Sequence, residues 1–187
     1  MGKVHEHIDE NLAAWIGRQP LFFVATAPRE GGHVNVSPKG PIGSFRVLDE
    51  RTVEYDDHVG SGAETVAHLR DNGRICVMFC AFDGPPRIVR LHGHGEVLSA
   101  GDPGDGVRGA IRVHVDRVSD SCGYGVPLMD YVGGRPQRQA WLAHKGADGV
   151  REYVSVKNAT SIDGLPAVPT DGRTSRPDRA SSPAGTD

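Results

Sequence analysis

The chain has 187 residues, enough for one domain with a core of ordinary size. Its 21 Lys+Arg against 24 Asp+Glu give a formal charge of -3, so no global basic field draws it onto nucleic acid or an anionic membrane. Any anion site must be local. Hydrophobic residues make up 37%, and the 25 Gly bring the composition to that of a globular, turn-rich protein. The start, MGKVHEHIDENLAAWIG, lacks the apolar core of a signal peptide, and no run approaches the roughly 18 apolar residues of a membrane span. Cys76, Cys80 and Cys122 have no CxxC spacing, which argues against a disulfide framework and a structural zinc and favours a reducing, cytoplasmic home.

Ile8, Leu12, Trp15 and Ile16 recur at helical spacing and predict an amphipathic helix that Pro20 stops. LFFVATA (21–27), the turn REGG and HVNVSPKG (33–40) read as a hairpin, and SFRVLDERTVEYDD (44–57) reads as a second. In SGAETVAHLRDNG (61–73), Ser61 with Glu64 three positions on forms a capping box, and Asn72-Gly73 forms a stop, so a short helix is expected. RICVMFCAF (74–82), RIVRLHGHGEVLS (87–99) and IRVHVDRVSDSC (111–122) carry the β-branched and alternating patterns of further strands. The expected fold is mainly β (α+β), a six-stranded antiparallel barrel with flanking short helices. GYGVPLMDYVGGR is a loop, and RQAWLAHKGADGVREYVSVKN forms two short helices broken at Gly146. Residues 167–187, rich in Pro, Ser, Gly and charge, offer too little apolar surface to offset their ordering entropy and are expected to be a disordered tail after a domain at 1–166.

Three places carry candidate chemistry. HVNVSPKG ends a strand with a hydroxyl, a rigid Pro, a cation and a Gly, a set suited to gripping phosphate, although a plain hairpin turn uses the same residues. VGSGAET (59–65) offers the free N–H groups of a helix start as an anion seat, or simply a capped helix. In PPRIVRLHGHGEV, Arg90 and His92 share a strand face, either toward a ligand or toward solvent and an acidic partner. His92-Gly-His94 has no third ligand assignable from spacing, so no metal is expected. No Ser–His–Asp order, HExxH or P-loop is present, which leaves hydrolytic and NTPase chemistry without support.

The series LFFVATA, HVNVSPKG, VEYDD, GSGAETVAHLRDNGRICVMF, PPRIVRLHGHGEV and SDSCGYGVP resembles the pyridoxamine 5'-phosphate oxidase-like family of FMN-binding split barrels, over roughly Glu6 to Pro166. The resemblance implies a split barrel, a homodimer with FMN between the subunits, and oxidoreductase chemistry on a small molecule in which the flavin accepts or passes hydride and no side chain need be a base. It places the family's phosphate-binding Lys on Lys39, with Val36 and Ser37 beside it, and the family's aromatic–hydroxyl pair on Tyr55 and Asp56. At the helix start it points to Ser61, Gly62 and Thr65. The Arg-Lys pair of the oxidases proper is replaced by Gly62-Ala63, with Arg87 or Arg90 as compensating cations. The family's Gln-Ser step corresponds to Asp120-Ser121. These departures imply a subgroup distinct from the true oxidases, with F420 or haem as alternative cofactors and a non-catalytic flavin-binding module as the alternative role.

Overall fold

A computed structural model describes residues 2–99 and 102–168. The elements in chain order are β1 (Val4–His5), α1 (Glu10–Gly17), β2 (Phe22–Thr26), β3 (Asn35–Lys39), β4 (Phe45–Val47), β5 (Thr52–His58), α2 (Glu64–Asn72), β6 (Arg74–Cys80), β7 (Ile88–Ser99), β8 (Val107–Ser121) and α3 (Gln137–Lys157). The strands form one antiparallel sheet in the order β3-β2-β6-β7-β8-β5-β4, with β1 added on β8. Among the described residues the antiparallel sheet therefore has eight strands, against the six expected. The two hairpins and three long strands account for seven, and β1 is too short to leave a period-two pattern in the sequence.

The sheet curls until its two ends meet through their side chains. Phe22 of β2 lies 5.0 Å from Phe45 of β4 and 5.4 Å from Tyr55 of β5, ring centre to ring centre, and Phe45 lies 5.0 Å from Phe79 of β6. Alternation puts Phe22 and Val24, Val53 and Tyr55, Val77 and Phe79, Val89 and Leu91, and Ile111 and Val113 on the inner face, all of them buried. The edge strands β3 and β4 do not pair with each other, so the barrel is split along that seam.

β7 and β8 form the longest ladder, broken by a bulge between His92 and Gly93. A Cβ on Gly93 would stand 2.1 Å from the His114 carbonyl oxygen, so the bulge admits only glycine without a backbone shift. α1 starts at the Asp9 cap, whose carboxylate accepts the Leu12 N–H, and buries Leu12 and Ile16. α2 closes one side of the barrel with Val66, Ala67, His68 and Leu69, and Gly73 ends it in the left-handed region at φ 73°.

Two helix expectations meet different outcomes. α3 breaks at Gly146, where φ is 65° and ψ 168°. The start of α2 needs correction: its N-cap is Ala63, without a side-chain cap, and Ser61 lies outside the helix. The loop before the helix is held by distant groups instead, because Arg108 donates to the Gly62 carbonyl and Asn158 Nδ2 to the Gly60 carbonyl. Ala167 is buried with the core, and residues 169–187 of the expected tail lie outside the described residues. Among the described residues no helix is long and apolar enough to cross a membrane.

Candidate functional site

The seam of the split barrel carries a polar slot. On one lip, β3 turns Asn35, Ser37 and Lys39 inward, opposite Thr26, Val24 and Phe22 of β2. The other lip is the end of β5, where Asp57 and His58 run past the last residue paired to β4. The start of α2 lies beneath them.

Asp57 organises the slot. It is on the inner face of β5 and 2% exposed, and a buried carboxylate requires a partner. Arg108 of β8 supplies a two-pronged one, donating from Nε and one terminal nitrogen to the two carboxylate oxygens at 3.0 and 3.1 Å. Its other terminal nitrogen donates to the Gly62 carbonyl at 2.9 Å, so a single guanidinium ties β5, β8 and the α2 loop together. Lys39 Nζ stands 4.0 Å from Asp57, at the limit of an ion pair. Burial pushes the Lys39 ammonium below its ordinary pKa, with Arg108 acting in the same direction and Asp57 and Glu64 opposing.

A hydrogen-bonded chain runs inward from the same lip. The Ser37 hydroxyl donates to Asn35 Oδ1 at 2.9 Å, and Asn35 Nδ2 donates to the Thr26 and Thr65 hydroxyls, each at 3.2 Å. Thr26 lies 3.0 Å from His68 Nδ1. Among the described residues His68 Nε2 is buried without a partner, and burial holds the His68 pKa below its usual value. Ser37 thus presents lone pairs to the slot rather than a hydrogen.

The other residues expected from sequence divide between this slot and elsewhere. Thr65 is buried at the start of α2, where its hydroxyl receives Asn35, and Gly62 is bonded to Arg108. Ser61 lies on the loop between β5 and α2. Asp56 points to the opposite face of β5 and pairs with Arg46 at 2.8 Å. Tyr55 is the clear departure: it is 0% exposed within the aromatic core, so its ring cannot reach a ligand, and burial raises its phenol pKa well above the ordinary value. Period-two alternation with Val53 carried the signal for that inward position. Val36 faces outward and is 62% exposed.

Arg87, Arg90 and Ser121 form a separate cluster at the joined ends of β7 and β8. Arg90 donates to the Ser121 hydroxyl at 3.2 Å, and Arg87 pairs with Asp120 at 3.1 Å while stacking over Trp15. β7 is three strands from β3, roughly 14 Å along the sheet. These two arginines therefore do not replace the missing helix-start cations within one subunit. Arg108, overlooked in sequence, occupies that neighbourhood, and Asp57 and Glu64 balance its charge and that of Lys39.

Three histidines of the long β7–β8 ladder diverge. His92 faces Cys76 at 3.9 Å, His114 pairs with Glu96 at 3.9 Å, and the His94 ring packs where a Cβ of Gly73 would lie. Among the described residues no three His, Cys, Asp or Glu side chains gather to hold a metal.

With that geometry in place, comparison with known proteins identifies the family. The model of the family described as pyridoxamine 5'-phosphate oxidase matches residues 8–122. A pyridoxamine 5'-phosphate oxidase family protein of Aspergillus flavus, ustO, is 41% identical over 191 residues, covering 88% of this chain and 77% of its own length. The chain belongs to the pyridoxamine 5'-phosphate oxidase family. Solved structures similar to this family member include HupZ from Group A Streptococcus, at 24% identity, TM-score 0.48, and coverage of 59% of this chain and 91% of the other. A FAD-binding protein from Mycobacterium smegmatis matches at 13% identity and TM-score 0.43, covering 62% and 95% of the two chains. The matched span runs from α1 to the end of β8 and contains every slot residue described above.

Proposed function

We propose that the protein is a cytoplasmic FMN-dependent oxidoreductase that works as a homodimer on a small molecule. The observation that carries this reading is Lys39, a half-buried ammonium on the lip of the seam, in a chain whose family is named for a phosphate-bearing substrate. The donor set fits one flavin phosphate. Lys39 supplies charge, and the first-turn N–H groups of α2, left without a side-chain cap, supply hydrogen bonds. Ser37 offers an acceptor and so suits an N–H of the ligand instead of its phosphate. The flavin, when bound, supplies hydride chemistry, while the protein's residues orient it and control access.

The outer face of the sheet supports the dimer. Val36 and Pro38 of β3 adjoin Phe23 and Ala25 of β2, then Met78 and Cys76 of β6, then Arg90 and His92 of β7. This stripe runs from apolar to cationic, and Val34 and Val36 leave it open at its edge. A second copy covering this stripe would bury Val36 and bring Arg90 into the interface.

The test is the visible spectrum of the purified protein, mass analysis of what it releases on denaturation, and its molar mass in solution. Yellow protein that releases FMN and runs as a dimer is the expected result. Colourless protein that fails to bind added FMN, or a Soret band from haem, overturns the reading, and released F420 replaces the cofactor.

A further inference from the structure

The start of α2 holds an anion of its own. Glu64 is the first residue of the helix, and its side chain folds back over the preceding loop, so that a Cβ on Gly62 would stand 2.2 Å from Glu64 Oε2. Its other oxygen accepts the Ile162 N–H at 3.3 Å, which fixes the carboxylate from the C-terminal side. The same carboxylate acts electrostatically on the Lys39 ammonium. The space that a side chain at position 62 would fill, beside the uncapped helix N–H groups, is therefore occupied by a carboxylate.

We infer that Glu64 is a specificity-determining residue: its carboxylate, folded over Gly62 at the start of α2, reduces the share of ligand affinity that comes from a phosphate group. This rests on the flavin reading of the slot and names the group within it that sets phosphate preference. Two anions near one helix start repel, and a ligand phosphate must either displace the carboxylate or bind against it. A flavin without phosphate meets no such opposition.

The experiment compares FMN with riboflavin by quenching of flavin fluorescence, on the full chain and on two variants. Glu64→Gln keeps an oxygen to accept the Ile162 N–H and removes only the charge. Gly62→Ala places a methyl where the carboxylate lies and expels it, giving an independent route to the same end. We expect both variants to tighten FMN by roughly five-fold or more, with riboflavin unchanged within about two-fold. Tightening of both flavins alike, or of neither, in variants that still bind flavin overturns the role of Glu64 and leaves the flavin reading standing. If neither flavin binds the parent chain or either variant, the flavin reading fails and this inference fails with it.

Discussion

Replacing Arg108 with Met tests the central contact of the seam. The substitution keeps much of the aliphatic stem, removes the guanidinium, and leaves Asp57 at 2% exposure without its two-pronged donor. Stranding one member of a buried ion pair costs about 3–5 kcal/mol. Lys39 remains 4.0 Å from the same carboxylate and offsets part of this, so a loss of about 3 kcal/mol is expected. For a domain of this size that corresponds to a fall in Tm of about 6–12 °C. Urea unfolding followed by tryptophan fluorescence reads the loss directly. Adding Asp57→Asn removes the stranded charge, so the double variant should recover about 2 kcal/mol relative to the sum of the two single losses. A loss below about 1 kcal/mol for Arg108→Met, or strictly additive losses in the cycle, would refute the claim that this pair holds the seam.

Two further outcomes follow from buried groups. Burial, first, and the neighbouring Arg138 hold His58 below its ordinary pKa, and burial does the same for His68. His58 Nδ1 receives the Arg138 N–H at 3.0 Å, and Asp56, Asp57 and Lys39 also act on it. The folded state then binds fewer protons than the unfolded chain below about pH 6.5, so stability is complete above that pH and declines as the pH falls toward the folded values. Tm should be flat from about pH 8 to 7 and drop from about 6.5 to 5, before the carboxylates titrate; a Tm that rises over that lower interval contradicts the assignment. Tyr55→Phe removes a buried hydroxyl that has no partner among the described residues. Stability should be unchanged or slightly higher and flavin affinity unaffected, and a loss above about 1 kcal/mol, or weakened flavin binding, would return Tyr55 to the site.

The fold was legible where its cause is local. β2, β5, β6, β7 and β8 follow from alternating apolar residues, α1 from helical spacing, and the ends of α2 and of the first half of α3 from Gly73 and Gly146 in backbone conformations that glycine favours. The start of α2 misled for a physical reason. Ser61 and Glu64 have the spacing of a capping box, but the loop around Ser61 is bonded to Arg108 and Asn158, which lie 46 and 98 positions from the groups they hold. Those tertiary bonds outcompete a cap worth about 1 kcal/mol. Glu64 then turns to the loop and to Ile162 rather than to Ser61.

Lys39, whose chemistry and turn context are contiguous, was a candidate from sequence and lies on the lip of the slot, whereas Arg108 was illegible, because its meaning depends on a partner 51 residues away. A signal did exist for that partner. Once β5 is read with Val53 and Tyr55 inward, the same alternation puts Asp57 inward, and a carboxylate on a core-facing position must find a cation or lose its charge. Asp56, taken from the family pattern, lies on the other face of the same strand, so the choice between two adjacent aspartates decides which one reaches the slot. Strand parity identifies Asp57 as the residue needing an explanation, while only the pairing of β5 with β8, including His58 opposite Val107, brings Arg108 within reach of it. The first step is a property of seven consecutive residues and the second of a sheet that has already folded.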